Sequence, residues 1–434
     1  MADPAHVLKN IRGQFINSTV FSLGDETVAR HQLPTSDVKL DYVEAVIDYD
    51  SSNELKVAPQ LSKVHISAGH FTKMKVGVAV KLFRESPPAI RYLIDRGVLP
   101  EEAETTAWFM ERISKWYKLM SARHPMLALS RLHTSKYQNA IEKLSLAVET
   151  VRMMKMGLTA HWKPSQAGLL ISTDVVLRLQ TVLLGDGGYR FLLTGRLTQD
   201  CLENLFSVIR LRKPVPNAYD MKCALKLVCV SQFLHTPSFT SYEQDDSVYL
   251  ADLLAHGTKH AAEDADPLQD VENPFVESLT LEDEDILFYV GGFILKGMVK
   301  TIEGCNRCKS ALLGRNYSRY AGLTLYKEYE QSASHFLYPT DEVMDILHKC
   351  EEYFKSLVYS DSILGLKSPV KSIGTFLLSK FAGNLSTCDQ HGEKMNKLLI
   401  DRYSCLRLKI YLRHRHRVAC EGYSSKPCAG VALL

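Results

Sequence analysis

The chain has 434 residues, of which 46% are hydrophobic and 23% charged, and its formal net charge is +3. These values are typical of a soluble globular protein with two or three domains, and so small a net charge does not by itself indicate nucleic-acid binding. No apolar run reaches the roughly 18 residues of a membrane span, and Met1–Lys9 lacks the apolar core of a secretory signal, so we expect no membrane association. The ten cysteines all lie beyond residue 200, a pattern that favours reduced thiols and metal ligands over a disulfide framework.

Helical periodicity dominates the first half of the chain. After a helix at 6–15 and a polar loop over 16–35, the apolar spacing predicts helices at 42–49, 71–83, 87–93, 101–120 and 137–156. Pro164 and Gly168 interrupt this pattern, which resumes over 175–184 and is followed by a short strand-like segment at 189–194. A further helix is predicted over 219–234.

The second half opens with an acidic segment. Residues 236–283 have little apolar periodicity, which predicts a disordered linker. Helices follow at 286–299, 341–359 and 392–413, and 419–434 is predicted to be a tail. Basic residues cluster near this end and are compatible with phosphate contacts or with a solvated helix face: Arg402, Arg407, Lys409, Arg413, Arg415 and Arg417.

The segment 196–210 has two helical stripes. One is apolar and consists of Leu202, Leu205, Phe206 and Ile209. The other carries Asp200 and Glu203 three residues apart, so that both carboxylates could face one metal ion. An ordinary amphipathic helix with solvated acids is the alternative interpretation.

A Cys-x-x-Cys pair stands at Cys305 and Cys308, and this spacing is that of one half of a zinc site. Cys388 and His391, also three residues apart, could supply the other half of a Cys₃His site. Because buried free thiols are common, a set of unligated cysteines is the alternative.

Five segments, in chain order, resemble P-element and THAP-domain DNA transposases. They are Asp3–Arg12, Ala58–Val76, Trp162–Leu169, Gln199–Asn204 and Tyr289–Ile294. In that family the first holds the second catalytic Asp, followed by a His and a helix. The second opens a GTP-binding insertion domain, the third returns to the catalytic domain, the fourth carries the catalytic Glu, and the fifth follows a linker.

The resemblance implies a mainly α chain with an incomplete ribonuclease-H-like α/β catalytic domain over 1–15 and 161–235. An all-helical GTP-binding-type insertion domain (16–160) interrupts it, and a helical C-terminal domain (284–418) follows the linker. Asp3 and Glu203 would be two of three carboxylates that hold two Mg²⁺ ions for DNA strand cleavage and transfer, with His6 beside them. The family's first catalytic Asp and zinc-coordinating DNA-binding domain lie further upstream. We therefore expect a transposase fragment or a transposase-derived protein that is inactive as this chain.

The nucleotide-binding residues that the resemblance implies are only partly retained. Lys75, Val76 and Asp200 match the family pattern. Four positions depart from it, namely Gln60, Arg84, Lys118 and Ser121. Lys118 replaces the Asp that reads the guanine edge, which reverses the charge and removes both acceptors. We therefore expect GTP binding to be weak or absent, which disfavours a GTP-dependent regulator.

The resemblance also implies partners and a location. It predicts that the protein binds transposon-end DNA and is located in the nucleus. It is also compatible with a homo-oligomer. The competing hypothesis is a domesticated, non-enzymatic DNA- or protein-binding module that keeps the helical insertion domain.

Overall fold

The computed structural model describes residues 1–67, 69–157, 161–212, 215–231, 279–302, 304–314, 318–328, 336–359, 368–381 and 390–422, with the single positions Ile363, Leu385, Thr387 and Cys388. The chain divides into two compact units. The first unit consists of Met1–Asp48 and Gln60–Gln244, and the second of Tyr49–Pro59 and Asp245–Leu434. The acidic linker predicted over 236–283 lies outside the described residues, except for 279–283.

Eleven described helices cover the chain as far as residue 231. They are α1 (Pro4–Ser18), α2 (Asp25–His31), α3 (Asp41–Ser52), α4 (Lys63–Ile66), α5 (His70–Met74), α6 (Val76–Asp95), α7 (Ala103–Met120), α8 (Thr134–Met153), α9 (Pro164–Thr181), α10 (Asp200–Arg212) and α11 (Ala218–Ser231). Short 3₁₀ turns lie at Pro125–Leu127 and Thr194–Leu197, and a π turn over Val182–Asp186 extends α9.

A small antiparallel sheet packs beside these helices. Its strands are β1 (Val20–Ser22), β2 (Asp37–Lys39) and β3 (Lys155–Met156), with β1 in the centre. Phe21 pairs with Val38 on one side and Met156 on the other. Phe21 is fully buried and its ring contacts Phe15 of α1 and Phe109 of α7, with centroid separations of 5.1 and 5.9 Å. The sheet therefore joins the helical core through one aromatic cluster.

The sheet corrects two predictions. The segment 16–35 is not a loop, since it contains β1 and α2, and the segment 16–160 is not all-helical, since it contains all three strands. Strands of two or three residues are too short to show a two-residue period, which is why the sequence pattern missed them. The mainly helical fold is confirmed, whereas the ribonuclease-H-like topology and the domain boundaries stay predictions.

One helix in the described residues, Pro164–Asp186, is long and apolar enough to cross a membrane by length and composition, with a mean hydropathy of 1.5. Its buried face is nevertheless polar in places and bonded within the first unit. Thr173 accepts a 2.8 Å hydrogen bond from the indole N–H of Trp116, and Ser172 donates one of 2.6 Å to the carbonyl of Ala2. These contacts are those of a core helix in a globular unit.

The second unit is built from helices α12 (Leu281–Val299), α13 (Asn306–Leu312), α14 (Gly322–Lys327), α15 (Asp341–Tyr359), α16 (Pro369–Phe381) and α17 (Gly392–Gly422). Thr280 and Asp283 form a capping box at the start of α12, in which the Thr280 hydroxyl accepts a 3.1 Å bond from the Asp283 N–H. This cap starts the helix inside the predicted linker. Helix α17 likewise continues to Gly422, beyond the predicted start of the tail.

A buried charge network ties α15 to α17. The guanidinium Nε of Arg407 donates to both carboxylate oxygens of Glu351, at 2.9 and 2.7 Å, and the Tyr403 hydroxyl donates to the same carboxylate at 2.6 Å. Arg407 also bonds Glu54, from the Tyr49–Pro59 part of this unit, and stacks 4.3 Å from the ring centroid of Phe354. Burial lowers the pKa of Arg407, but Glu351 and Glu54 outweigh it and hold that pKa well above its usual value.

Two glycines of α12 permit a close backbone approach. A Cβ built on Gly292 would lie 2.1 Å from the carbonyl oxygen of Leu337, and one on Gly291 would lie 2.8 Å from Leu347 Cδ1. The Gly-Gly pair in the segment Tyr289–Ile294 thus allows the chain around Leu337 to pass directly over the helix.

Candidate metal centre and predicted catalytic residues

The four predicted zinc ligands come together in the second unit. Cys388 Sγ lies 3.7 Å from Cys305 Sγ, 3.5 Å from Cys308 Sγ and 3.2 Å from His391 Nδ1. Cys308 Sγ lies 3.6 Å from the same imidazole nitrogen. All four ligand atoms lie within 4.8 Å of one another, so this Cys/His cluster could hold a metal ion.

Two turns present these side chains. Gly304, with φ +83°, reverses the chain before Cys305, which occupies the N-cap of α13 and places the buried Cys308 in the first turn. Cys388 accepts backbone bonds through its carbonyl from His391 at 3.1 Å and Gly392 at 2.9 Å, closing a turn that leads into α17. Each half of the cluster is therefore a tight turn at the beginning of a helix.

The thiols of the cluster have divergent acidities. Burial raises the pKa of Cys308 to about 11. Burial acts in the same direction on Cys388, but hydrogen bonds from Cys308 and from backbone groups outweigh it and lower the pKa of Cys388 to about 6. A thiolate at Cys388, stabilised by its neighbours, is suited to bind a metal cation.

The predicted catalytic residues also meet, in the first unit. His6 Nδ1 lies 2.7 Å from Asp3 Oδ2, and His6 Nε2 lies 3.9 Å from Glu203 Oε1. Asp3 is the N-cap of α1, since its Oδ2 accepts from the His6 backbone N–H at 3.0 Å. Its Oδ1 accepts from the Gln199 N–H at 3.1 Å. The imidazole of His6 thus stands between the two acids.

The carboxylate of Asp3 is already engaged in hydrogen bonds within the protein, and its role as an Mg²⁺ ligand stays a prediction. A carboxylate offers about four acceptor positions, and Asp3 uses three of them within the protein. Its side chain is only 2% exposed, whereas that of Glu203 is 40% exposed. The hydrogen bonds give Asp3 a capping role that the sequence reading did not include.

The two-stripe prediction for α10 is wrong in part. Ile209 is fully buried, but Leu202 and Phe206 of the same predicted apolar stripe are 52% and 38% exposed. On the polar stripe, Asp200 is buried and pairs with Arg123. Asp200 is therefore engaged in an ion pair, and the sequence contained no signal for Arg123 as its partner.

The predicted nucleotide-binding residues occupy dissimilar environments. Lys75 is exposed at the junction of α5 and α6, and the side chain of Val76 is buried in the core. Gln60 is half-buried and Lys118 is exposed. Arg84 lies 3.3 Å from the carboxylate of Glu85. The Ser121 hydroxyl donates to the carbonyl of Tyr117 at 2.7 Å. Weak or absent GTP binding stays a prediction.

A cavity of about 240 Å³ in the first unit involves other residues, between α2 and α8. Arg30 and Glu149 on its rim form an ion pair of 2.7 Å, and the ring of His31 packs 4.8 Å from that of Trp108. Burial, together with Arg112 and Arg30, lowers the pKa of His31. No predicted site residue lines this cavity, and sequence reasoning missed it because its two walls are far apart in the chain.

Comparisons with known proteins relate this chain to DNA transposases. Residues 274–412 match the family model described as DNA transposase THAP9, C-terminal domain. The transposable element P transposase of Drosophila melanogaster is 22% identical over 225 residues, which are 49% of this chain and 27% of the relative. The resemblance to P-element-type transposases is confirmed.

A solved structure, the Drosophila P element transposase strand transfer complex, superposes with a TM-score of 0.46 and 18% identity. That alignment covers 54% of this chain and 52% of the other. The matched part of this chain spans about a quarter of the length of the P transposase relative. The relationship to transposases is therefore established over part of the relative's length.

Proposed function

We propose that this protein is a transposase-derived DNA-binding protein of the P-element type, acting in the nucleus. In this proposal segments 1–15 and 161–235 descend from a ribonuclease-H-like catalytic domain. The observation that carries the proposal is the meeting of Asp3, His6 and Glu203. The transposase resemblance predicts this meeting of residues about 200 positions apart, and the amphipathic-helix interpretation does not.

The proposal does not include strand cleavage by the described residues. Cleavage of the transposase type needs carboxylates free to hold divalent cations, and the capping bonds of Asp3 compete with that use. Asp200 does not replace it, because its carboxylate is paired with Arg123. The proposed function is therefore DNA binding without cleavage.

The exposed end of α17 is the surface that we assign to DNA. Only part of the predicted basic cluster can contact DNA. Arg407 is buried against Glu351. Arg402 is half-buried, and its guanidinium N–H lies 3.5 Å from the carbonyl oxygen of Ile294. Arg413 and Arg415 are exposed on the last turns of the helix. Phosphate contacts from these two side chains would give affinity without sequence preference.

We expect the full chain to bind a labelled DNA duplex with an affinity that falls as salt is raised. The double substitution Arg413→Gln/Arg415→Gln should weaken binding and reduce the slope of log affinity against log salt by about two. Fluorescence anisotropy measures both quantities. The matched control, Lys300→Gln/Lys397→Gln, removes the same charge from exposed positions of the second unit and should leave the slope unchanged.

The same duplex, incubated with Mg²⁺ or Mn²⁺, tests the absence of cleavage. We expect no product that depends on Glu203. Cleavage that disappears in Glu203→Gln would refute the proposal that the chain does not cleave DNA. Unchanged DNA binding in Arg413→Gln/Arg415→Gln would refute the assignment of the DNA-binding surface to the end of α17. A chain that binds no duplex even at low salt would favour the protein-binding alternative.

A second prediction concerns GTP. Titration calorimetry of the full chain with GTP and with ATP should give no guanine-selective heat, because in the transposase resemblance Lys118 takes the position of an Asp that supplies acceptors to guanine. Lys118→Asp is the informative variant, since it restores the family's residue. A micromolar, guanine-selective site in the wild-type chain would contradict this prediction.

A further inference from the structure

We propose that Cys305, Cys308, Cys388 and His391 form a structural zinc centre that fastens the start of α17 to the start of α13. This inference concerns the second unit and does not depend on the DNA-binding proposal. Three thiols and one imidazole are a ligand set that selects zinc, because soft sulfur ligands disfavour Mg²⁺ and Ca²⁺ and the set matches known Cys₃His sites.

The distances fit the edges of a zinc tetrahedron. With bonds of about 2.3 Å to sulfur and about 2.0 Å to nitrogen, tetrahedral zinc separates two sulfurs by about 3.8 Å and sulfur from nitrogen by about 3.5 Å. Four of the six edges match these values, since two sulfur–sulfur separations are 3.7 and 3.5 Å and two sulfur–nitrogen separations are 3.6 and 3.2 Å. All six lie within 4.8 Å. The sulfurs are too far apart for a disulfide, and the three cysteines are free.

Four protein ligands would complete the coordination sphere. A catalytic zinc keeps one position for water or substrate, whereas a structural zinc is closed by four protein side chains. Cys308 is fully buried and the other three ligands are half-buried. A closed tetrahedron at this depth holds the chain in place and leaves no position for a substrate.

The centre joins two parts of the chain that are about 80 residues apart in sequence. Helix α13 has seven residues, too few to be stable alone, and its first turn carries two of the ligands. The other two ligands lie in the turn that begins α17, the 31-residue helix that carries Tyr403 and Arg407. Bound zinc would therefore fix the N-terminal end of α17, while the buried charge network fixes its middle.

The first test measures metal in the full-length protein. Purified without chelators, the chain should contain about one zinc ion by inductively coupled plasma mass spectrometry. After exchange with Co²⁺, it should show the visible absorption bands of tetrahedral cobalt and the near-ultraviolet charge-transfer bands of cobalt–thiolate bonds. A chain that contains no zinc and gives no thiolate bands on Co²⁺ titration would overturn the proposal.

Variants then assign the ligands. His391→Ala and Cys308→Ser should each reduce the metal content to near zero, whereas His391→Cys, which keeps four ligands, should retain it. Cys405→Ser, a buried thiol on α17 outside the cluster, and Cys223→Ser, in the first unit, are the matched controls and should keep about one ion. Full zinc content in both His391→Ala and Cys308→Ser would place the metal elsewhere and overturn the assignment.

Hydrogen exchange distinguishes a zinc ion that stabilises the fold from one that binds adventitiously. Removing zinc with a chelator should accelerate amide exchange in 304–312 and 387–400, and exchange in α6 and α7 should stay unchanged. Zinc addition should restore protection. Protection in 304–312 and 387–400 that does not change with metal would show that the ion does not hold these segments, and would overturn the structural role.

Discussion

Replacing Glu351 with glutamine is expected to lower the free energy of unfolding of the second unit by about 3–5 kcal/mol. Glu351 and Arg407 are both buried, and the carboxylate accepts two bonds from the guanidinium and one from Tyr403. The glutamine still accepts from Tyr403, but among the described residues Arg407 then keeps Glu54 as its charge partner. The cost is that of a buried cation without the carboxylate that contributes most to its charge stabilisation.

A double-mutant cycle tests that reason. Arg407→Met should restore much of the stability lost in Glu351→Gln, because it removes the uncompensated charge and fills the space beside Phe354 with apolar atoms. Glu352→Gln, at the neighbouring half-buried position of α15, is the matched control and should change stability by no more than about 0.5 kcal/mol. If the losses from the two single substitutions simply add, the charges are not coupled.

The probe for these measurements follows from the sequence. The three tryptophans, Trp108, Trp116 and Trp162, all belong to the first unit, so their fluorescence does not report on the second. Chemical denaturation of the second unit should be followed by circular dichroism and by hydrogen exchange of α15 and α17. Since a two-unit chain need not unfold in one step, each transition is analysed by itself.

Gly292→Ala is the second substitution with a large expected effect, a loss of roughly 3 kcal/mol in the second unit. The added Cβ would meet a backbone carbonyl, that of Leu337, at 2.1 Å, so the chain over α12 must move. A side chain could rotate away, but a backbone carbonyl can move only together with the chain that carries it. Hydrogen exchange of 336–339 and α12, with denaturation by circular dichroism, measures the effect.

Gly77→Ala is its control, because Gly77 lies in helix α6 and a Cβ there meets nothing within 4 Å. Alanine is the better helix former, so this substitution should stabilise the first unit by about 0.5–1 kcal/mol. A Gly292→Ala protein as stable as the wild type would mean that the Leu337 segment adapts at no cost.

The Cys/His cluster shows what sequence reasoning can reach. Cys-x-x-Cys and Cys-x-x-His are local spacings with a chemical meaning, so each half could be recognised by itself. Whether the halves meet depends on tertiary structure, since Cys308 and Cys388 are 80 residues apart. For this reason the sequence left the site and a set of free thiols as alternatives, and the structure brought the four side chains together.

Arg407 shows where sequence reasoning fails. On the sequence it belongs to a basic cluster near the C-terminus, and it was predicted to face phosphate or water. Its partners are 56 and 353 residues away, and nothing local distinguishes it from the exposed Arg413. For Leu202 and Phe206 the error is the reverse. Helical periodicity predicts that both are buried, but the described neighbours leave them exposed.

The bond between Glu54 and Arg407 has a consequence for biosynthesis. On the ribosome, Tyr49–Pro59 is synthesised long before α15 and α17. A further 353 residues must be translated after Glu54 before Arg407, its ion-pair partner, is added to the chain. During that interval the apolar residues Leu55, Val57 and Ala58, buried in the finished protein, lack their final environment. The second unit therefore cannot complete its folding until α17 has been synthesised, and until then this early apolar segment of the nascent chain is exposed.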